Sequence, residues 1–129
     1  MTERNYHPVA QCGGVADSEA AAYDRRWLVV DEQAALITRD RCEALRDIEV
    51  SIRFGYLVLR APGMLRLDIP MDVIEDDDSV RRHAVLGGHR IDVVDEGDLA
   101  AVWFSTFLQQ PCRLVKIHPD APEVSWPAL

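Results

Sequence analysis

The sequence predicts a mainly β domain of the α+β class: a mostly antiparallel sheet with one main helix in its C-terminal half. Three observations predict it. Ile48, Val50 and Ile52 alternate with Glu49, Ser51 and Arg53, the period-two signature of a strand with one dry and one wet face. Gly87 and Gly88 separate two β-compatible segments, Arg82 to Leu86 and His89 to Val94, as a tight hairpin turn does. Leu99, Val102, Trp103, Thr106 and Phe107 fall at i, i+3, i+4, i+7 and i+8, so one helix over Asp98 to Gln109 should lay a single apolar stripe on the sheet.

The other elements follow along the chain. Trp27, Leu28, Val29 and Val30 form an apolar, partly β-branched run, which predicts a strand buried on both faces and central in its sheet. After the polar connection Asp31 to Gln33, Ala35 to Thr38 should return as its antiparallel neighbour, and Arg39 to Arg46 should be an irregular or helical connection. Phe54 extends the alternation begun at Ile48, Gly55 supplies the turn, and Tyr56 to Arg60 is the return strand before Ala61, Pro62 and Gly63 break it. Leu65, Leu67 and Ile69 alternate with Arg66 and Asp68, and Pro70 closes that strand or confines it to a sheet edge. Pro111 ends the helix and Arg113 to Ile117 resumes as a strand. Pro119, Pro122 and Pro127 mark residues 119–129 as an extended tail, leaving 1–118 as the domain.

A chain of 129 residues suits one core and buries roughly two-thirds of its unfolded surface. With 48% hydrophobic and 28% charged residues, folding should need no metal or disulfide staple. The net charge of −8 argues against nucleic acid as a partner, because a polyanion is repelled at long range. Cys12, Cys42 and Cys112 stand far apart with no CxxC pair, which fits reduced thiols and a cytoplasmic address. Met1 to Tyr6 has no apolar signal core, and no stretch approaches the roughly twenty apolar residues of a membrane span, so no membrane partner is expected.

Catalytic signatures are scarce, with no nucleophile elbow, phosphate loop, zinc helix or dinucleotide fingerprint, so the expectation is a binding domain and not an enzyme by itself. Gly13 and Gly14 form either a simple turn or a loop offering backbone amides to an anion. Cys12 beside them is either an idle buried thiol or, if a cation lowers its pKa, the nucleophile of a sulfur carrier or small enzyme. The run Glu75 to Asp78 lacks calcium-loop spacing. His7, His83, His89 and His118 are dispersed, with His83 and His89 set to meet as ladder partners across the glycine turn, so no metal site is expected. Thirteen of the fourteen basic residues are arginine. If Ala35 to Thr38 pairs with the Trp27 strand, Arg25 or Arg26 comes near Arg39 and Arg41. There they either hold a phosphate or carboxylate or form salt bridges to Asp24 and Asp40.

In this order, the segments resemble the N-terminal β-barrel domain that precedes MOSC domains in bacterial MOSC proteins and mitochondrial amidoxime-reducing enzymes. The carriers are Pro8, Val9, Cys12, Gly14 and Val15; Asp24 to Trp27 with Val30 and Asp31; Leu36 and Thr38; Ala61 to Met64; Asp95 to Gly97 with Ala101, Trp103, Phe107 and Leu108; and Pro111 to Val115. The resemblance implies a barrel-like closure of the sheet. It also implies the accessory half of a molybdenum-cofactor protein, which in full-length relatives helps enclose the pterin and its phosphate, while the MOSC domain supplies the metal-ligating cysteine. This chain ends at Leu129, so no catalysis is carried over.

Arg25 matches the arginine of the family's Asp-Arg-x-Trp pattern and is the cofactor contact the resemblance transfers. Ala10 and Gln11 stand where the family commonly has lysine and serine, and Asp40 replaces an arginine that often follows the threonine. Two functions follow as expectations. In the first, the domain binds an anionic pterin- or phosphate-bearing ligand through Cys12, Gly13, Gly14, Arg25, Arg26, Arg39 and Arg41, or docks a separate MOSC-type partner. In the second, it is a degenerate domain that serves protein interaction alone.

Overall fold

In a computed structural model, described here over residues 6–15, 23–70, 81–86 and 89–117, the alternating segments pair through short turns. Strands β1 (Trp27–Val30), β2 (Glu49–Arg53), β3 (Tyr56–Arg60), β4 (Leu67–Pro70), β5 (Arg81–Leu86), β6 (His89–Asp95) and β7 (Arg113–Ile117) accompany helix α1 (Asp98–Leu108) and a short 3-10 helix at Glu43–Asp47. They form two antiparallel sheets, one in the order β2-β3-β4 and the other β1-β7-β6-β5.

The three-stranded sheet grows from its tightest turn. Arg53 pairs with Tyr56, so Phe54 and Gly55 are the only loop residues, and both take positive φ (51° and 81°), as a hairpin turn matched to strand twist requires. Phe54 therefore does not extend the strand; the turn lifts its ring off the buried face and leaves it 97% exposed. Leu65 also lies outside its expected strand. It follows the Gly63 turn and is exposed, and its carbonyl accepts the Trp103 indole N–H at 2.6 Å. β4 ends at Pro70 on the sheet edge.

β1 is buried throughout but is the terminal strand of its sheet, not a central one. Its second edge is covered by single bridges in place of a full neighbour. Val9 meets Trp27 in parallel, and Val30 meets Leu36. The expected return of Ala35 to Thr38 is thus a brief contact, and its other side bridges to β5 through Ala35 and Val85. The Leu36 amide donates to the Val85 carbonyl at 3.0 Å and the Val85 amide to the Ala34 carbonyl at 2.7 Å. This segment joins the first and last strands of the sheet and closes it into a small barrel.

Alternation along β1 then explains its two-sided burial. Leu28 and Val30 point into the barrel with Leu36, Ala84, Ile91, Val93 and Val115. Trp27 and Val29 point the other way, into a larger core shared with Ile37, Leu57, Phe104 and Leu114 between barrel, three-stranded sheet and helix.

The helix lies where expected but is turned. Ala100, Trp103, Phe104 and Leu108 are buried and Phe107 is half-buried, whereas Leu99 and Val102 are 76% and 62% exposed and Thr106 is exposed. The buried stripe is offset by one residue, about 100° around the axis. The helix is apolar on both sides, so periodicity alone could not select the inward one.

In the β5–β6 hairpin His83 pairs with Asp92, and His89 with Leu86, so the two histidines are not ladder partners. Gly87, Gly88, the run Glu75 to Asp78 and the tail 119–129 lie outside the described residues.

Candidate functional site

Of the residues singled out by sequence, Arg25 and Arg39 bond the segment Tyr6 to Val15 that carries Cys12, Gly13 and Gly14, whereas Arg41 does not; that segment is laced to β1 by backbone bonds. The Trp27 amide donates to the Pro8 carbonyl and the Ala10 amide to the Trp27 carbonyl, both at 2.9 Å, and the Arg25 amide donates to the His7 carbonyl at 2.7 Å. The Asp24 carboxylate accepts the His7 amide at 2.7 Å, and the His7 ring Nδ1 lies 3.0 Å from the Cys12 carbonyl. Gln11 and Arg25 both take left-handed backbone (φ 74° and 55°), a conformation that costs non-glycine residues free energy and persists where surrounding bonds fix it.

Arg39 is the clamp of this segment. Its Nε donates to the Gln11 carbonyl at 2.7 Å and its Nη2 to the Cys12 carbonyl at 2.6 Å, while its amide donates to Gln11 Oε1 at 3.1 Å. Charge-assisted bonds of this kind are about twice as strong as neutral ones. Arg41 bonds the Asp31 carboxylate at 2.9 Å and the Leu36 carbonyl at 3.2 Å, bracing the segment that closes the barrel. Asp31 also accepts the amides of Gln33 and Ala35. Burial would raise the Asp31 pKa, but these amides and Arg41 outweigh it and hold the carboxyl below its ordinary value. Arg25 and Arg26 are half-buried at the entry to β1.

Cys12 is fully buried, and that burial pushes its thiol far above the ordinary range; the nearby Arg39 opposes the shift without reversing it. Nucleophilic sulfur chemistry needs the thiolate, so this environment disfavours it. Gly13 is a close-approach glycine. Its amide donates to the Ile48 carbonyl at 3.0 Å, and a Cβ there would stand 2.8 Å from the same oxygen. One of the two amides expected for an anion is therefore engaged, while Gly14 is exposed.

A cavity of about 710 Å³ opens elsewhere, at the barrel mouth where β1 ends and β7 begins. Val30, Ala34, Val102, Ser105 and Cys112 line it. Among the charges at its rim, Arg113 bonds Asp95 through Nε and Asp98 at 2.8 Å, and these two bonds, Asp95 first, raise the Arg113 pKa. The rest of the wall is mostly apolar, with Glu32, Ser105 and Thr106 among it, and lies beside the exposed flank of α1.

Residues 3–111 match the family model described as the MOSC N-terminal beta barrel domain. The chain belongs to this MOSC N-terminal domain family. A molybdenum cofactor sulfurase of Danio rerio is 30% identical over 93% of the chain, which spans only 16% of that protein. Mitochondrial amidoxime reducing component 2 of Bos taurus is 29% identical over 93% of the chain, which spans 38% of it. A solution structure of a Bordetella bronchiseptica protein is 55% identical, with a TM-score of 0.84, covering 99% of this chain and 98% of that one.

Against the pterin phosphate implied for the family, this MOSC N-terminal domain has a poor donor set. Ala10 brings no charge and is buried with the barrel residues, and Arg39 and Arg41 already bond groups of the chain. Gln11 Nε2 is a buried donor with no hydrogen-bond partner, a single neutral group where the family commonly has serine. The residues present do not reproduce the expected clamp. Among the described residues no group of three His, Cys, Asp or Glu side chains is placed to hold a metal ion, and no helix is long and apolar enough to cross a membrane.

Two features escaped the sequence reading. One is the outward apolar flank of α1, whose signal was the excess of apolar positions over one stripe. The other is a set of arginines on and beside the three-stranded sheet, Arg46 in the 3-10 helix with Arg53 and Arg60 on its strands, whose signal was the wet-face position of Arg53 and the return-strand position of Arg60.

Proposed function

We propose that this MOSC N-terminal domain is an accessory module without catalysis of its own, and that it docks a separate MOSC-type polypeptide through the outward flank of α1 and the adjoining barrel mouth. The observation that carries the reading is the exposure of Leu99 and Val102 on a helix whose opposite face is packed in the core. A helix apolar on both sides is stable in water when a second body covers the outer one. Family membership supplies the chemistry of that body, because the domain's name places it ahead of a MOSC domain. The engagement of Arg39 and Arg41 within the chain favours docking over a pterin-phosphate clamp, and the buried thiol of Cys12 disfavours the sulfur-carrier reading.

Titration calorimetry against MOSC-domain proteins from the same genome tests this. Saturable one-to-one binding, lost in Val102→Asp with an unchanged melting temperature, is the expected result; no binding, or equal binding by the variant, overturns it. Thermal melts with a phosphate-bearing pterin provide the contrast. A rise in midpoint that disappears in Arg25→Ala would favour the ligand reading, since a ligand of the native state alone stabilises by mass action.

A further inference from the structure

Three arginines whose side chains bond nothing among the described residues lie together, away from Arg39 and Arg41. Arg46, after the Glu43–Asp47 helix begins, and Arg53 and Arg60, on β2 and β3, are all exposed, and none meets a carboxylate or donates a hydrogen bond among the described residues. In a chain of net charge −8, three guanidinium groups gathered around a single carboxylate, Glu49, with no ion pair to it are unusual. They line one groove of about 450 Å³ together with Gly13, Gly14, Glu49 and Ser51. We infer that this groove, between the Gly13–Gly14 turn and the open edge of β2, binds the phosphate group of a small phosphomonoester.

The local geometry supplies the donors. In a two-residue hairpin the closing pair, Arg53 and Tyr56, exchanges both backbone bonds, so the Ser51–Val58 and Glu49–Arg60 pairs do the same. The backbone groups of Ile48 and Val50 then point to the opposite edge. The Ile48 carbonyl does so, accepting from Gly13, and the same alternation turns the Val50 amide toward that open edge, where Val50 and Ser51 line the groove. Glycine at position 13 is what lets the turn lie so close to β2, since any Cβ would collide with the Ile48 oxygen.

Charge and size select the ligand. Three guanidinium groups against the single carboxylate of Glu49 leave an excess of two positive charges. A phosphomonoester carries about −1.5 to −2 at neutral pH, and planar guanidinium forks match its oxygens. The volume falls within the roughly 300–1,000 Å³ of small-molecule pockets. A long polyanion would extend beyond the groove over an acidic surface, whereas a compact dianion is screened from distant charge within a Debye length of about 8 Å.

The test is a titration followed by amide chemical shifts, at fixed ionic strength, with inorganic phosphate, glycerol phosphate and sodium chloride. Saturable shifts at Gly13, Gly14, Val50 and Ser51 with both phosphates and not with chloride are expected. Tighter binding of glycerol phosphate would assign an organic phosphate, and equal affinity free phosphate. Arg53→Gln and Arg60→Gln should each weaken binding about tenfold, the effect of one lost charge-assisted bond. Affinity should also fall below about pH 6, where the dianion gains a proton. Linear, unsaturated shifts, shifts matched by chloride, or folded Arg→Gln variants that bind like the parent would overturn the assignment.

Discussion

The barrel and the three-stranded sheet use the same side chain in opposite ways. Beside the barrel, Arg39 and Arg41 hold backbone carbonyls and an aspartate that bring distant segments together. On and beside the sheet, Arg46, Arg53 and Arg60 bond nothing among the described residues. The reason lies in how each region closes. Hairpins between sequence neighbours pair β2 with β3 and β3 with β4 without help from side chains, so the wet-face side chains stay available. The barrel is closed by single bridges between remote segments, which leave carbonyls such as those of Gln11 and Cys12 outside any ladder, and a buried carbonyl needs a donor. Arginine positions in a sequence therefore do not by themselves locate an anion site.

The sharpest expected effect is on the barrel's shared wall. Trp27 is fully buried, its indole N–H reaches Glu96 at 3.2 Å, and the Lys116 ammonium sits 5.2 Å from its ring. Trp27→Ala should cost about 3–5 kcal/mol in urea unfolding, in line with large core truncations. Next comes Arg39→Ala, which strands the Gln11 carbonyl and leaves the Cys12 carbonyl only the His7 ring, and should cost roughly 2–4 kcal/mol. A loss under about 0.5 kcal/mol would show that water replaces the guanidinium and that Arg39 is no clamp.

What the sequence made legible follows the same division. The spans of β1, β3 and β7 read directly, because short apolar or alternating runs bounded by turn residues are local signals. The edge position of β1 was not legible, since two-sided burial usually marks a central strand and here comes from closure through Ala35 and Val85. The helix was legible in extent but not in rotation, because Leu99 and Val102 compete with Ala100 and Phe104 as an inward face. At the site, the sequence singled out Arg39 as a companion of Arg25 or Arg26, whereas its side chain bonds the Gln11 and Cys12 carbonyls, whose directions no residue pattern reports.

A smaller effect is expected at Asp31, which anchors the closing segment. Its folded pKa lies below the ordinary value, so its contribution is fully present above the unfolded pKa of about 3.8 and is lost as pH falls through the lower folded value. Asp31→Asn should lower stability by about 1 kcal/mol at pH 7, as loss of a partly exposed ion pair and its amide bonds implies. The gap between the variant and the parent should close as the pH is taken below the folded pKa. A gap that stays constant from pH 7 into that acid range would mean that ionisation of Asp31 does not brace the barrel.

The smallest expected effect separates the two regions most cleanly. Arg53 is exposed and without an ion pair among the described residues, so Arg53→Gln removes no bond that folding forms and should change stability by no more than about 0.5 kcal/mol. Glutamine keeps most of the aliphatic stem, so packing over the sheet changes little. The same reasoning applies to Arg60, although Glu49 stands opposite it in the ladder, and removing the arginine could only leave that carboxylate better hydrated. Paired urea melts of Arg39→Ala and Arg53→Gln decide the matter. If the two cost the same, the sheet arginines are structural and the contrast between barrel and sheet fails. If Arg53→Gln is silent in the melt yet weakens phosphate binding, the positive charge on the sheet is held for a ligand and not for the fold.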